Sequence, residues 1–200
     1  MLILHDMKPV LILYATREGQ TRHIAEYIAK ALSKRGCTAQ VHNVKVHPET
    51  VQLSNYSAAI LAASVHAGRH EPEMESFVRK HREQLELLPT AFFSVSLSEA
   101  GAEDPNASPE EREQSAADVD RMIEEFFVAT EWRPQRAYPV AGALAYTHYG
   151  TLVRFLMKRI AEKAHASTDT SRDHVFTDWE ALDHFVEVFL ETPFFLGSST

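Results

Sequence analysis

The feature that most constrains this chain is an apolar run, Val10 to Tyr14, which breaks into a short loop and continues as a helical pattern. A continuous run rich in valine, isoleucine and leucine is typical of a parallel strand buried on both faces. The loop, Thr16 to Thr21, offers two threonine hydroxyls, and Gly19 lets a ligand approach the backbone. Because the free N–H groups at a helix N-terminus attract anions, the stretch predicts a phosphate-binding turn. An ordinary strand–helix turn is the alternative.

Two other phosphate loops are excluded, because the chain lacks both the Lys-Ser/Thr ending of a nucleoside triphosphate loop and the three-glycine dinucleotide fingerprint here. The pattern Thr-x-x-Gly-x-Thr instead resembles the FMN phosphate loop of flavodoxins. Glu18 stands where that loop usually carries a third hydroxyl. A carboxylate beside a phosphate is repulsive, so we expect Glu18 to point outward if a phosphate binds.

Length, charge and cysteine content exclude several classes of protein. Two hundred residues suit one domain, and the net charge of −8 argues against nucleic-acid binding. Cys37 is the only cysteine, which excludes an intramolecular disulfide and indicates a reducing compartment, so we expect a cytoplasmic protein. We find no apolar run of about 18 residues that could span a membrane. No metal site is expected, since His66 and His70 have no convincing third ligand.

Five apolar strand patterns alternate with five amphipathic helical patterns. This order predicts a doubly wound α/β fold, a five-stranded parallel sheet with helices on both faces. The predicted segments are a strand ending at Ala15, helix Thr21–Arg35, strand Thr38–Val44, strand Ala58–Ala62, a helix from Pro72, strand Thr90–Leu97, helix Ser115–Thr130, strand Ala137–Leu144, helix Thr151–Ala164 and a last helix ending near Leu190. The start of this last helix is predicted from a Thr177/Glu180 capping box.

The same pattern sets the predicted boundaries. Residues 1–7 form an extension, residues 8–191 form the flavodoxin-like domain, and residues 192–200 form a tail. Residues 98–114 form an irregular, acidic insertion after the fourth strand, for which a functional lid and a disordered loop are equally open. The loop Ala63–His70 is expected to border a crevice at the carboxyl ends of the strands.

Four further segments carry a closer resemblance. They are residues 63–70, residues 91–95, Trp132-Arg133-Pro134 with residues 141–146, and Thr168-Asp169-Thr170 with Thr177-Asp178-Trp179-Glu180. In this order they resemble the menaquinone-dependent protoporphyrinogen IX dehydrogenases, a flavodoxin-like family. The resemblance implies an oxidoreductase of haem biosynthesis that oxidises protoporphyrinogen IX with FMN and passes electrons to menaquinone or ubiquinone.

The resemblance also implies the cofactor-binding residues. They are Thr16, Arg17, Gly19, Gln20 and Thr21 at the phosphate, and Ser64, Val65, His66, Ala67, Gly68, Ser94, Val95, Ser96, Ala141, Gly142, Ala143 and Leu144 around the isoalloxazine. For His66 and His70 a proton-shuttling role and a solvated loop histidine both remain open. For Arg17 the alternatives are neutralising the phosphate and facing solvent.

One helical face and the acidic insertion indicate which partners the protein could contact. The basic residues Arg154, Lys158, Arg159 and Lys163 could meet a membrane surface on the inner face of the cell membrane, or an ordinary solvated face could explain them. The acidic insertion would repel propionates and anionic lipid, which keeps two alternatives open: an FMN electron carrier without its own substrate, and a flavin-free interaction module. A homo-oligomer is also left open.

Overall fold

The computed structural model describes residues 8–46, 48–144 and 174–191, with the backbone alone at residues 48, 144 and 174. The strands are β1 (Val10–Ala15), β2 (Ala39–Asn43), β3 (Ala58–His66), β4 (Arg69–His70), β5 (Thr90–Ser96), β6 (Arg136–Ala141), β7 (Ala143–Leu144) and β8 (His174–Val175). The helices are α1 (Gln20–Lys34), α2 (Pro72–Leu85), α3 (Leu97–Ala102), α4 (Pro109–Thr130) and α5 (Trp179–Leu190). Two short 3₁₀ turns cover Pro48–Thr50 and Leu53–Asn55.

Five parallel strands form the central sheet, as the sequence predicts, and their order is β2-β1-β3-β5-β6. All six residues of β1 are buried, which fits its central place. One core packs α1 and α5 against one face of the sheet, and a second packs α2 and α4 against the other. β4 adds an antiparallel pair to β3, and β7 pairs with β8 in a separate two-stranded sheet.

The insertion after β5 is helical, so the prediction of an irregular stretch is wrong. Ser96 caps α3 by accepting a hydrogen bond from the Glu99 N–H. A capping box between Ser108 and Glu111, with Pro109 in the first turn, begins α4 six residues before the predicted start. The acidic residues therefore lie largely on two helices.

The segment after Ala62 is not a loop. β3 continues to His66 and turns back through Ala67 and Gly68 into β4. Both turn residues have positive φ, 50° and 78°, as in a two-residue type I′ hairpin. The hairpin fixes the end of β3 at the carboxyl edge of the sheet.

The last helix and the last parallel strand also differ in detail. Asp178, not Thr177, caps α5 by accepting hydrogen bonds from the N–H groups of Glu180 and Ala181. β6 ends at Ala141 rather than at residue 144, because its partner β5 ends at Ser96, where α3 begins. β6 is the edge strand, which accommodates Pro139 as predicted.

The predicted extension at residues 1–7, helix Thr151–Ala164 and tail at residues 192–200 lie outside the described residues. Among the described helices, none is long and apolar enough to cross a membrane. The described residues also contain no group of three or more histidine, cysteine, aspartate or glutamate side chains suited to hold a metal ion.

Candidate functional site

An open crevice lies at the carboxyl edge of the sheet. It is lined by the turn after β1, the end of β3, the β5–α3 junction and the residues that follow β6. The lining residues are Thr16, Glu18, Gln20, Thr21, Ser64, Val65, His66, Val95, Ser96, Leu97, Gly142 and Ala143. This is where a doubly wound sheet binds its ligands.

The turn between β1 and α1 leaves one hydroxyl without a partner. Gly19 precedes α1 with φ of +96°, and its N–H donates to Thr16 Oγ1 at 3.0 Å. The Thr21 side chain is fully buried, and its Oγ1 has no hydrogen-bond partner among the described atoms. A buried polar atom is nearly always bonded, so this hydroxyl and the free N–H groups of α1 make the turn a candidate anion site.

Glu18 does not point outward, and its carboxyl at the crevice weighs against a phosphate unless the side chain turns away when one binds. Its side chain is only 22% exposed, and its Oε1 lies 3.6 Å from Nδ1 of His66 at the end of β3. The contact joins the turn after β1 to the hairpin at one side of the crevice.

Arg17 is half exposed and pairs with a buried carboxylate, so its predicted contact with a phosphate stays a prediction. Its Nε donates to both carboxylate oxygens of Glu71, at 3.1 and 3.2 Å, and the side chain is 48% exposed. Burial alone would raise the pKa of Glu71, but hydrogen bonds from Lys45 and Arg17 outweigh burial and hold the pKa below its ordinary value. Glu71 is therefore an ionised, buried carboxylate beside the crevice.

The crevice contains most, but not all, of the residues implied by the sequence. Thr16, Gln20, Thr21, Ser64, Val65, His66, Val95, Ser96, Gly142 and Ala143 line it. Arg17, Gly19, Ala67, Gly68, Ser94 and Ala141 are not among its described lining residues, and for Leu144 only the backbone on β7 is described. Ser94 differs most clearly from its predicted place beside the flavin ring, because it is fully buried and hydrogen-bonded to His70.

His70 is a core residue, so the interpretation as a solvated loop histidine is wrong for it. Its Nε2 lies 2.9 Å from Ser94 Oγ, and its ring packs on Phe92 and Phe126. Burial lowers the pKa of His70 to about 4, against a small opposing effect of Glu125. A neutral buried imidazole of this kind does not exchange protons at the crevice near neutral pH.

Thr177 is a residue of the site that sequence reasoning assigned to a helix cap. Its hydroxyl donates to the Ala141 carbonyl at 2.8 Å and accepts from Gln20 Nε2 at 2.7 Å. These two bonds connect the start of α1 to the end of β6. The Gln20 side chain is thereby engaged in structure, while its backbone N–H remains part of the first turn of α1.

Two carboxylates of the predicted insertion have raised pKa values: Glu99 on α3, which is partly buried, and Glu103 directly after α3, which is exposed. Burial, and then the charges of Glu103 and Asp120, raise the pKa of Glu99 to about 7. Burial and the charge of Asp178 also raise the pKa of Glu103. The acidic segment therefore carries less negative charge at neutral pH than its composition indicates.

Replacing Glu99 by glutamine is expected to stabilise the protein at pH 8 by about 1 kcal/mol, after allowance for solvent screening. The native state holds a proton on Glu99 that the unfolded chain releases near pH 4.5, so stability falls as pH rises from there through about 7. Urea unfolding between pH 5 and 8 measures the effect. Glu113→Gln, at an exposed position of α4, is the control. If wild type and E99Q show the same dependence of stability on pH, the raised pKa of Glu99 is contradicted.

Comparison with known proteins places the chain in a family. A family model described as "Flavodoxin domain" matches residues 11–171. The chain belongs to the flavodoxin-domain family. Membership indicates a flavin ligand, and the predicted flavodoxin-like fold is confirmed.

Two similar proteins point to one group within this family. An Escherichia coli K12 protein named protoporphyrinogen IX dehydrogenase [quinone] is 37% identical over 175 residues, which cover 88% of this chain and 91% of that protein. A Leishmania major protein of the same name is 29% identical over 184 residues, covering 92% and 75%. The predicted resemblance to the protoporphyrinogen IX dehydrogenases is thus confirmed.

A solved short-chain flavodoxin associated with a bacterial microcompartment shares the fold of this flavodoxin-domain protein. It matches with a TM-score of 0.52 at 12% identity, covering 93% of this chain and 99% of that one. At this identity the likeness concerns the fold alone.

Proposed function

We propose that the crevice binds FMN and that the protein oxidises protoporphyrinogen IX, passing the electrons to a quinone. The observation that carries the proposal is the buried, unpartnered hydroxyl of Thr21 at the N-terminus of α1. An anion with several acceptor oxygens would satisfy this hydroxyl and the adjacent N–H groups together. The relatives' shared name supports the substrate and the acceptor.

The two ends of FMN would meet different parts of the crevice. Thr16, Thr21 and the first N–H groups of α1 would hold the phosphate. The end of β3, from Ser64 to His66, and the β5–α3 junction, from Val95 to Leu97, would border the flavin ring. Gly142 is attached to the same junction, because its N–H donates to the Ser96 carbonyl at 2.9 Å.

The protein's own groups would bind, orient and exchange protons. When bound, FMN supplies the hydride and electron chemistry that the side chains lack. His66 is partly exposed and lines the crevice, so its imidazole is a candidate to accept substrate protons, with Glu18 orienting its Nδ1. His70 is unsuited to this role, because its ring is buried and bonded to Ser94.

Menaquinone and ubiquinone are both apolar acceptors that reside in membranes, which favours a cytoplasmic protein that visits the inner face of the cell membrane. The predicted basic contact at Arg154, Lys158, Arg159 and Lys163 lies outside the described residues and stays a prediction, as does a homo-oligomer.

The first experiment is an absorbance spectrum of the purified protein after mixing with FMN and desalting. We expect a retained flavin spectrum, followed by anaerobic turnover of protoporphyrinogen IX with menaquinone. Flavin retention without turnover would favour the electron-carrier alternative. No binding even at high FMN concentration would contradict both redox functions and favour the flavin-free interaction module.

A further inference from the structure

The buried carboxylate of Glu71 lies next to the candidate cofactor site. Its side chain has no exposed surface, and a carboxylate in that position is costly unless it is paired and hydrogen-bonded. Its Oε1 and Oε2 accept from Arg17 Nε, Oε2 accepts from Lys45 Nζ at 3.1 Å, and Oε1 accepts from Ser64 Oγ at 3.2 Å. Each oxygen is therefore satisfied by more than one donor.

The three partners come from three adjacent strands. Arg17 follows β1, Lys45 follows β2, and Ser64 lies near the end of β3. In the sheet these strands are neighbours in the order β2-β1-β3. Glu71 itself precedes α2, and its N–H donates to the Ser64 carbonyl at 3.2 Å, so its backbone is also fixed to β3.

We propose that Glu71 is a positioning residue that holds the phosphate turn, through Arg17, at a fixed place relative to Ser64 on β3. The proposal rests on the proposed function, since the two segments it joins are those assigned to the phosphate and to the flavin ring. A cofactor that must contact both segments at once binds more tightly when they are already in place.

The charge of Glu71 is part of this role. Ionised acceptors form shorter and stronger hydrogen bonds than neutral ones, and the pairing with Arg17 and Lys45 keeps the pKa of Glu71 low enough for ionisation at neutral pH. Glutamine has nearly the same shape but can pair less strongly with the two cations. Its amide N–H would also repel the donors that now meet a carboxylate oxygen.

The experiment measures FMN dissociation constants by flavin fluorescence for wild type, Glu71→Gln, Arg17→Gln and the double variant. We expect Glu71→Gln to weaken FMN binding about tenfold. Because both residues act through one contact, adding Glu71→Gln to the Arg17→Gln variant should have a much smaller effect than it has alone. Glu73→Gln is the matched control, since Glu73 Oε1 also contacts Lys45, at 3.4 Å, but is partly exposed; it should change the constant less than about twofold.

Folding is followed by circular dichroism and urea unfolding of each flavin-free variant. If Glu71→Gln does not fold, Glu71→Asp keeps the charge and shortens its reach, and it should weaken FMN binding about threefold. A folded position-71 variant with unchanged FMN affinity, or additive effects of the two substitutions, would overturn the inference and leave the proposed function intact. Absence of FMN binding by wild type would instead defeat the proposed function and the inference with it.

Discussion

Replacing Thr21 by valine is expected to weaken FMN binding by about 10- to 100-fold and to leave the flavin-free protein at least as stable as wild type. The two effects have one cause. The Thr21 hydroxyl is buried without a partner in the described structure, so its loss removes a desolvation cost of about 1 kcal/mol from the flavin-free state. In the complex the same hydroxyl would donate to a phosphate oxygen, and valine cannot.

Titration with FMN and riboflavin, combined with urea unfolding, measures both effects. Riboflavin has no phosphate, so Thr21→Val should change its affinity little. Thr16→Val is the contrasting variant, because the Thr16 hydroxyl already accepts from the Gly19 N–H. Its loss should lower the stability of the flavin-free protein by about 1 kcal/mol. Equal FMN affinity in wild type and Thr21→Val would show that the hydroxyl does not face the phosphate.

The central architecture could be predicted because local patterns determine it. The apolar run of β1 indicates a strand covered on both faces, and the structure buries every residue of it. Gly36, directly after the predicted helix Thr21–Arg35, adopts the φ of 79° that suits a glycine at a helix C-terminus. Pro72 was identified as the first residue of a helix, which begins at that residue. In each case the decisive interaction lies within a few residues.

The insertion was predicted wrongly because prolines and acids were interpreted as signs of irregular structure. Ser108, Pro109 and Glu111 in fact have the spacing of a helix start, so a usable signal was present. The β3–β4 hairpin was also not predicted. The dipeptide Ala67-Gly68 is a signal for a type I′ turn, because glycine readily adopts the positive φ that such a turn requires. Alanine at positive φ is uncommon, which weakens that signal.

The site was only partly predictable because several of its contacts are distant in sequence. The turn at Thr16–Thr21 follows from residue types next to a strand. The hydrogen bond between Arg17 and Glu71 crosses 54 positions, and the bond between Gln20 and Thr177 crosses 157. No periodicity or local spacing indicates such partners. A glutamate before a proline looks like an ordinary helix start, which is why Glu71 was missed.

Acidification from pH 6.5 to pH 4 is expected to destabilise the protein, with His70 contributing up to about 3 kcal/mol. The unfolded chain takes up a proton at His70 near pH 6.5, but the native state does so only near pH 4, because burial lowers the pKa. The unfolded state therefore binds more protons across this window, and stability is lost as pH falls. Below about pH 4.5 Glu71 adds a loss of the same sign, while Glu99 acts in the opposite direction between 4.5 and 7.

Urea unfolding of flavin-free wild type and His70→Gln at several pH values isolates the histidine. Glutamine does not titrate and still offers a hydrogen-bond partner to the Ser94 hydroxyl, so the variant should be less stable at pH 7 yet lose less stability on acidification. His184→Gln, at an exposed position of α5, should keep most of the wild-type pH dependence. Among the described residues, Arg69, Glu75 and Glu125 line the cavity beside His70, and the charge of Glu125 opposes the lowering of its pKa. If His70→Gln and wild type lose stability in parallel between pH 6.5 and 4, the buried neutral imidazole is not the cause, and the carboxylates must be.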